Sequence, residues 1–168
     1  GTTTTRMNAG DAILVGFANH YIPEGKWLEL IKDLEENGDC ATILTAAQQP
    51  PQGAVERDKD HINRCFGGDS LVDIVNALRS EDSPFSQRAL KALGRNAPLS
   101  MACAIEMIHR LRGSADMRKA LELEYRFTYR AMEHGDFLEG IRATIIDKDR
   151  TPQWQHKIDA VPVVAVSR

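Results

Sequence analysis

The sequence is 168 residues long, which is about one domain's worth of chain, with 27% charged and 42% apolar residues, so a disordered tail is excluded. Lys and Arg number 21 against 24 Asp and Glu, a formal charge of -3, which argues against a nucleic-acid partner. No membrane partner is expected either: no apolar run approaches the roughly 18 residues of a span, and the longest, Ala12 to Ala18, is broken by Gly16.

The pattern is helical almost throughout. Asn8 with Asp11 three residues on predicts a capped short helix to about Val15, ended by Gly16. His20-Tyr21-Ile22 reads as extended, because Pro23 disfavours helix before it. Trp27, Leu28, Ile31 and Leu34 recur at helical spacing up to Asn37-Gly38. Asp39 can cap a helix through Ala47, and Pro50-Pro51 marks a loop over 48–53. Ile62, Cys65 and Phe66 predict a helix ending at Gly67-Gly68, and Asp69-Ser70 begins one with Leu71, Ile74, Val75 and Leu78 on a face. Ser83-Pro84 and Pro98 each open a helix. Ser114 is expected to cap the longest, which carries Met117, Leu121, Tyr125, Thr128 and Met132. Asp136 with Glu139 predicts a capping box before Ile141, Ile145 and Ile146.

About nine short helices, almost no sheet and 6% aromatic residues make a thin core for a free-standing domain. The amphipathic faces are therefore expected to pack on something else. The alternative is an irregular helical domain complete in itself.

Few residue constellations point to chemistry. Glu106-x-x-His109 has the spacing of half a di-iron site, but no second E-x-x-H exists, so a solvated helix face is expected. His61 and Cys65 share a helix face without the further ligands a structural zinc needs. Gly67-Gly68 precedes a helix start with no phosphate-binding pattern around it. No metal site is expected. The run Asp147-Lys148-Asp149-Arg150 offers two readings: cations complementing a helix C-terminus, or an exposed cation pair for an anionic ligand. Cys40, Cys65 and Cys103 are an odd number without a C-x-x-C, which predicts free thiols and a cytoplasmic location. The opening Gly1-Thr2-Thr3-Thr4-Thr5 has no initiator Met and no signal-peptide pattern; a tag remnant, a processed end or a cut within a longer protein would each give it.

From Glu124 onward the residues become specific. Glu124-Tyr125-Arg126, the block His134 to Ala143 and the block Ile146 to Trp154 resemble the C-terminal end of 3-hydroxyisobutyryl-CoA hydrolases, within the enoyl-CoA hydratase/isomerase (crotonase) superfamily. The shared pattern is D-F-x-E-G-[IV]-R-A followed by I-D-K-D-x-x-P-x-W. Gly16 to Pro23, Ile62 to Phe66 and Asn96 to Ser100 also resemble stretches of that family, so the likeness runs from residue 1 to about 158.

The resemblance implies a mainly α chain: the C-terminal helical segment of a crotonase-type α/β fold whose ββα core lies upstream. Residues 1–23 would be the tail of that core and 24–168 the helical part. It implies a CoA-thioester hydrolase of valine catabolism, with a hydratase or isomerase of the same superfamily, or a non-catalytic helical assembly module, as alternatives. The implied partners are an acyl-CoA substrate, the N-terminal half of the same protein and further copies in a homo-oligomer. CoA would be part of the substrate, and no separate cofactor is implied. The oxyanion hole and the acidic residues that activate water belong to the upstream core, so no catalytic residue is expected here, and residues 1–168 alone are expected to be inactive. Lys148 resembles a C-terminal lysine that approaches the phosphates or adenine of CoA, and Arg150 is its neighbour.

Overall fold

A computed structural model describes residues 2–114 and 116–167; Gly1, which opens the threonine run, lies outside them, as do Ala115 and Arg168. The described residues fall into two compact units, Arg6–Asp60 and the remainder. Among them the structure is helical, and the single β-type pairing is a bridge between Tyr21 and Gln48. No helix is long and apolar enough to cross a membrane.

The unit Arg6–Asp60 holds α1 (Ala9–Leu14), α2 (Trp27–Asn37), α3 (Ala41–Ala46) and α4 (Ala54–Arg57). The expected capping box forms: Asn8 Oδ1 accepts from the Asp11 amide at 2.9 Å, and Asp11 Oδ2 accepts from the Asn8 amide at 3.4 Å. Asp11 does more than the local pattern foretold. Its carboxylate also accepts from the amides of Ala54 at 3.2 Å and Val55 at 2.8 Å, and so caps α4 as well. The contact demands glycine at 53, where a Cβ would lie 1.8 Å from Asp11 Oδ1. Asp11 is 1% exposed, and it is the one described side chain of this unit that is fully buried. Phe17, Leu28 and Leu44 stand well out from this unit. Gly38, at φ 65°, stops α2 where Asn37-Gly38 was expected to.

The other unit carries the apolar core. Its helices are α5 (Lys59–Cys65, shared with the end of the first unit), α6 (Leu71–Glu81), α7 (Pro84–Leu93), α8 (Pro98–Leu111), α9 (Met117–His134), α10 (Phe137–Ile141) and α11 (Val163–Ser167). Leu71, Ile74, Val75 and Leu78 of α6 pack with Cys65, with Ala89 and Leu93 of α7, and with Met101, Ala102 and Ile105 of α8. This is the helical face expected from the spacing of the apolar residues. Ser70 and Asp73 form a capping box on α6, and Ser83 with Ser86 caps α7 ahead of Pro84.

Three local expectations are corrected. Asp116, not Ser114, caps α9, accepting from the Lys119 amide at 3.2 Å. Asp136 forms no capping box, because its Oδ1 accepts from the Gln155 amide at 2.9 Å and Glu139 is held by Arg142. The helix does not continue in α form to Ile146: Arg142–Ile146 is a π-helical turn, closed by the Asp147 amide on the Arg142 carbonyl at 2.8 Å.

The long helix α9 presents Met117, Leu121, Tyr125, Tyr129 and Met132 more than half exposed. The Tyr125 and Tyr129 rings stack on one another at 6.0 Å. An apolar stripe of this length left in water is the signature of a face that packs against another surface.

Candidate functional site: an arginine-held turn

The residues from Asp136 to Gln155 build one structure around Arg142. Its Nε and Nη2 donate to the two oxygens of Glu139 at 2.9 and 2.7 Å, a bidentate pairing. Its Nη1 donates to Asp147 at 2.6 Å and to Asp149 at 2.7 Å, and its Nη2 reaches the Thr151 carbonyl at 3.3 Å. Glu139 also accepts from the Gln153 amide at 2.6 Å, and Asp149 from the Thr151 amide at 2.9 Å. The guanidinium of Arg142, with the Gln153 amide second, holds the Glu139 carboxyl down at about 2. The same guanidinium holds Asp149 below its ordinary range.

This network fixes an uncommon backbone. Lys148 and Arg150 both sit at positive φ, 57° and 56°, where residues with a Cβ are disfavoured. The Arg150 amide donates to the carbonyl of buried Ala143 at 3.0 Å. Asp147 and Asp149 turn in to Arg142, while Lys148 and Arg150 are exposed and have no ion-pair partner among the described residues. All four residues of the run are exposed, and its signs differ by partner: both carboxylates are held by Arg142, while both cations are left unpaired among the described residues. What the arrangement can do chemically is present two cations, on a rigid turn, to an anion such as a phosphate. The sequence drew attention to Lys148 and Arg150 and not to Arg142, which organises the turn around them. The available signal was one arginine with an acid three residues before it, Glu139, and two acids five and seven residues after it, Asp147 and Asp149.

The other sequence candidates lie elsewhere and do different work. Glu106 pairs with Arg110 at 2.7 Å, not with His109. Gly68 is required by close packing, since a Cβ there would meet Asp73 Cβ at 2.6 Å. His61 and Cys65 do come together, but on a carboxylate. His61 Nδ1 and Cys65 Sγ both bond Glu81, Arg64 donates to it at 2.9 Å, and the His61 ring stacks on Phe85. Among the described residues no group of three or more His, Cys, Asp or Glu could hold a metal ion. Burial, then the Glu81 carboxylate, pushes the Cys65 thiol up to about 11, so it stays a protonated donor and a poor nucleophile.

The donors of Cys65, His61 and Arg64 bring the Glu81 carboxyl down from 4.5 to about 2. A lowered folded value means that its stabilisation is complete above about pH 4.5 and is lost as pH falls toward 2. Glu81→Gln is expected to lower the urea midpoint at neutral pH and to flatten the acid side of the midpoint-against-pH curve. Parallel curves for variant and wild type would contradict this.

The chain superposes on an enoyl-CoA hydratase from Rhodobacter sphaeroides 2.4.1 with a TM-score of 0.90 and 47% identity, over 99% of this chain and 48% of that one. A carnitinyl-CoA dehydratase from Mycobacterium thermoresistibile gives 0.89 at 28% identity with the same coverage. The architecture is that of the helical C-terminal part of crotonase-fold proteins, as the sequence predicted.

Residues 1–167 match the enoyl-CoA hydratase/isomerase family, and the chain belongs to it. Curated relatives include the mitochondrial 3-hydroxyisobutyryl-CoA hydrolase of Gallus gallus, 29% identical over 91% of this chain and 42% of the relative. A probable 3-hydroxyisobutyryl-CoA hydrolase of Arabidopsis thaliana is 31% identical over 92% of this chain and 45% of the relative. The chain thus spans less than half the length of the curated relatives it matches. The expectation of a cytoplasmic location is overturned, because the relatives from chicken, rat, mouse and human are named as mitochondrial. The physical reason is simple: free thiols point to a reducing environment and do not say which compartment provides it.

Proposed function

We propose that the full-length protein hydrolyses a short-chain acyl-CoA thioester of the 3-hydroxyisobutyryl type, as in valine catabolism, and that this chain closes the CoA end of its site. The observation that carries the reading is the family match over residues 1–167, joined by hydrolase relatives aligned over about nine-tenths of the chain. Lys148 and Arg150 would meet the phosphates of CoA, whose charge and distance from the thioester suit exposed cations on a fixed turn. CoA enters as part of the substrate, and no separate cofactor is proposed. In the mechanism, backbone donors stabilise the thioester oxyanion, a carboxylate activates water, and CoA leaves as the thiolate. Those groups would come from the N-terminal half; the residues here hold the nucleotide end and take no proton. That half would also cover the exposed stripe of α9, and further copies would complete a homo-oligomer.

The test is thiol release from 3-hydroxyisobutyryl-CoA by the full-length protein, beside hydration of a short-chain enoyl-CoA. Release of free CoA at an enzymatic rate supports the hydrolase. The likeness to an enoyl-CoA hydratase at 47% identity favours the second reading, in which hydration proceeds and hydrolysis does not. In the active enzyme, Lys148→Ala is expected to raise KM about threefold to tenfold with a smaller change in kcat, as loss of remote binding does. An unchanged KM would remove Lys148 from the site.

A further inference from the structure

A cleft of about 260 Å3 opens between α8, α9 and α11, and no residue of the turn that carries Lys148 lines it. Leu99, Met107, Leu123, Phe127 and Val166 give it an apolar lining, and Arg126, Arg130 and His134 supply cationic and polar groups. Arg126, Arg130 and His134 stay solvent-exposed at its rim, while Leu123, Phe127 and Ala131 beside them are half-buried. On α9, positions 123, 126, 127, 130, 131 and 134 share one helix face, and the exposed apolar stripe lies on the opposite one. The arginines therefore stand on the side turned toward α8.

The charges there do not cancel. Glu106 is the one carboxylate lining the cleft, and Arg110 takes it at 2.7 Å. His134 lies 3.8 Å from Glu133, with both exposed. Arg126 and Arg130 have no ion-pair partner among the described residues. Two unpaired guanidinium groups one helical turn apart beside an apolar hollow ask for a planar anion that carries an apolar tail. The volume is at the small end for ligand sites, so the tail is short.

We propose that this cleft binds a small amphiphilic anion, a monocarboxylate on a short alkyl chain. The head pairs with Arg126 and Arg130, and the chain lies on Leu123, Phe127 and Val166. The site does not depend on which reaction the full-length protein performs.

The test uses the full-length protein and sodium octanoate, followed by calorimetry and by the NMR signal of the 13C-labelled Met107 methyl group. Binding is expected with a dissociation constant on the order of 0.1–1 mM, and the Met107 signal is expected to shift along the same curve. The double variant Arg126→Gln/Arg130→Gln should weaken binding about tenfold or more while leaving basal turnover unchanged. Ala165→Trp, at an exposed position lining the cleft, should block binding without disturbing the core, and keeps the test decisive if the double variant fails to fold. Heat without a Met107 shift would place octanoate elsewhere and overturn the proposal. Equal affinity for 1-octanol would overturn it by removing the need for a charged head. Tighter binding of octyl phosphate would overturn the assignment of that head to a carboxylate.

Discussion

Arg142→Ala is expected to raise KM for acyl-CoA in the full-length enzyme about tenfold, more than Lys148→Ala does, and to open the 147–151 turn to trypsin at Lys148 and Arg150. One guanidinium engages Glu139, Asp147, Asp149 and the Thr151 carbonyl. Its loss leaves three carboxylates facing one another and frees two residues to leave the left-handed region. Both cations of the turn would then lose their aim together, which a single substitution at either cannot achieve. Arg142→Lys should rescue poorly, because an ammonium cannot reproduce the fork that grips Glu139 through two nitrogens. Proteolysis separates the claims. A turn that opens with KM unchanged would keep the structural role of Arg142 and discard the CoA role of Lys148 and Arg150.

Leu78→Ala is expected to cost about 2–5 kcal/mol of stability. Leu78 is 0% exposed and packs in the cluster that joins α5, α6, α7 and α8, with Leu93 equally buried. A cavity there has little room to collapse, because capping boxes at Ser70 and Ser83 fix the starts of α6 and α7. Leu78→Met preserves volume and should cost less than about 1.5 kcal/mol. Urea midpoints of the two variants measure the difference, and equal midpoints would show that the core is not close-packed at this point.

What was legible in the sequence was local or had a strong period. The Asn8–Asp11 box and Ser83-Pro84 mark helix starts through contacts within one turn, Pro98 does so through its fixed φ, and each lies where expected. The apolar spacing of Leu71, Ile74, Val75 and Leu78 likewise gave the buried face of α6. The failures came where another partner was better placed than the expected one, near in sequence for Glu139 and distant for Asp136. Asp136 and Glu139 have the spacing of a capping box, yet the Gln155 amide and Arg142 claim them. The π turn cannot be read from Arg142–Ile146 alone, because it is closed together with the Arg150 amide on Ala143 and the ionic contacts beyond it. Within the candidate site, family likeness singled out Lys148 and Arg150, whose meeting with CoA is a proposal, whereas Arg142, which holds their turn, required the folded geometry.

Asp11 has a consequence for how the chain can change. A single carboxylate closes the starts of two helices, and it fits only because residue 53 has no side chain. Neither position can drift alone: a bulkier residue at 53 evicts the acid, and loss of the acid strands the amides of Ala54 and Val55. The two sites are bound to a shared history, although they lie at opposite ends of their unit's sequence.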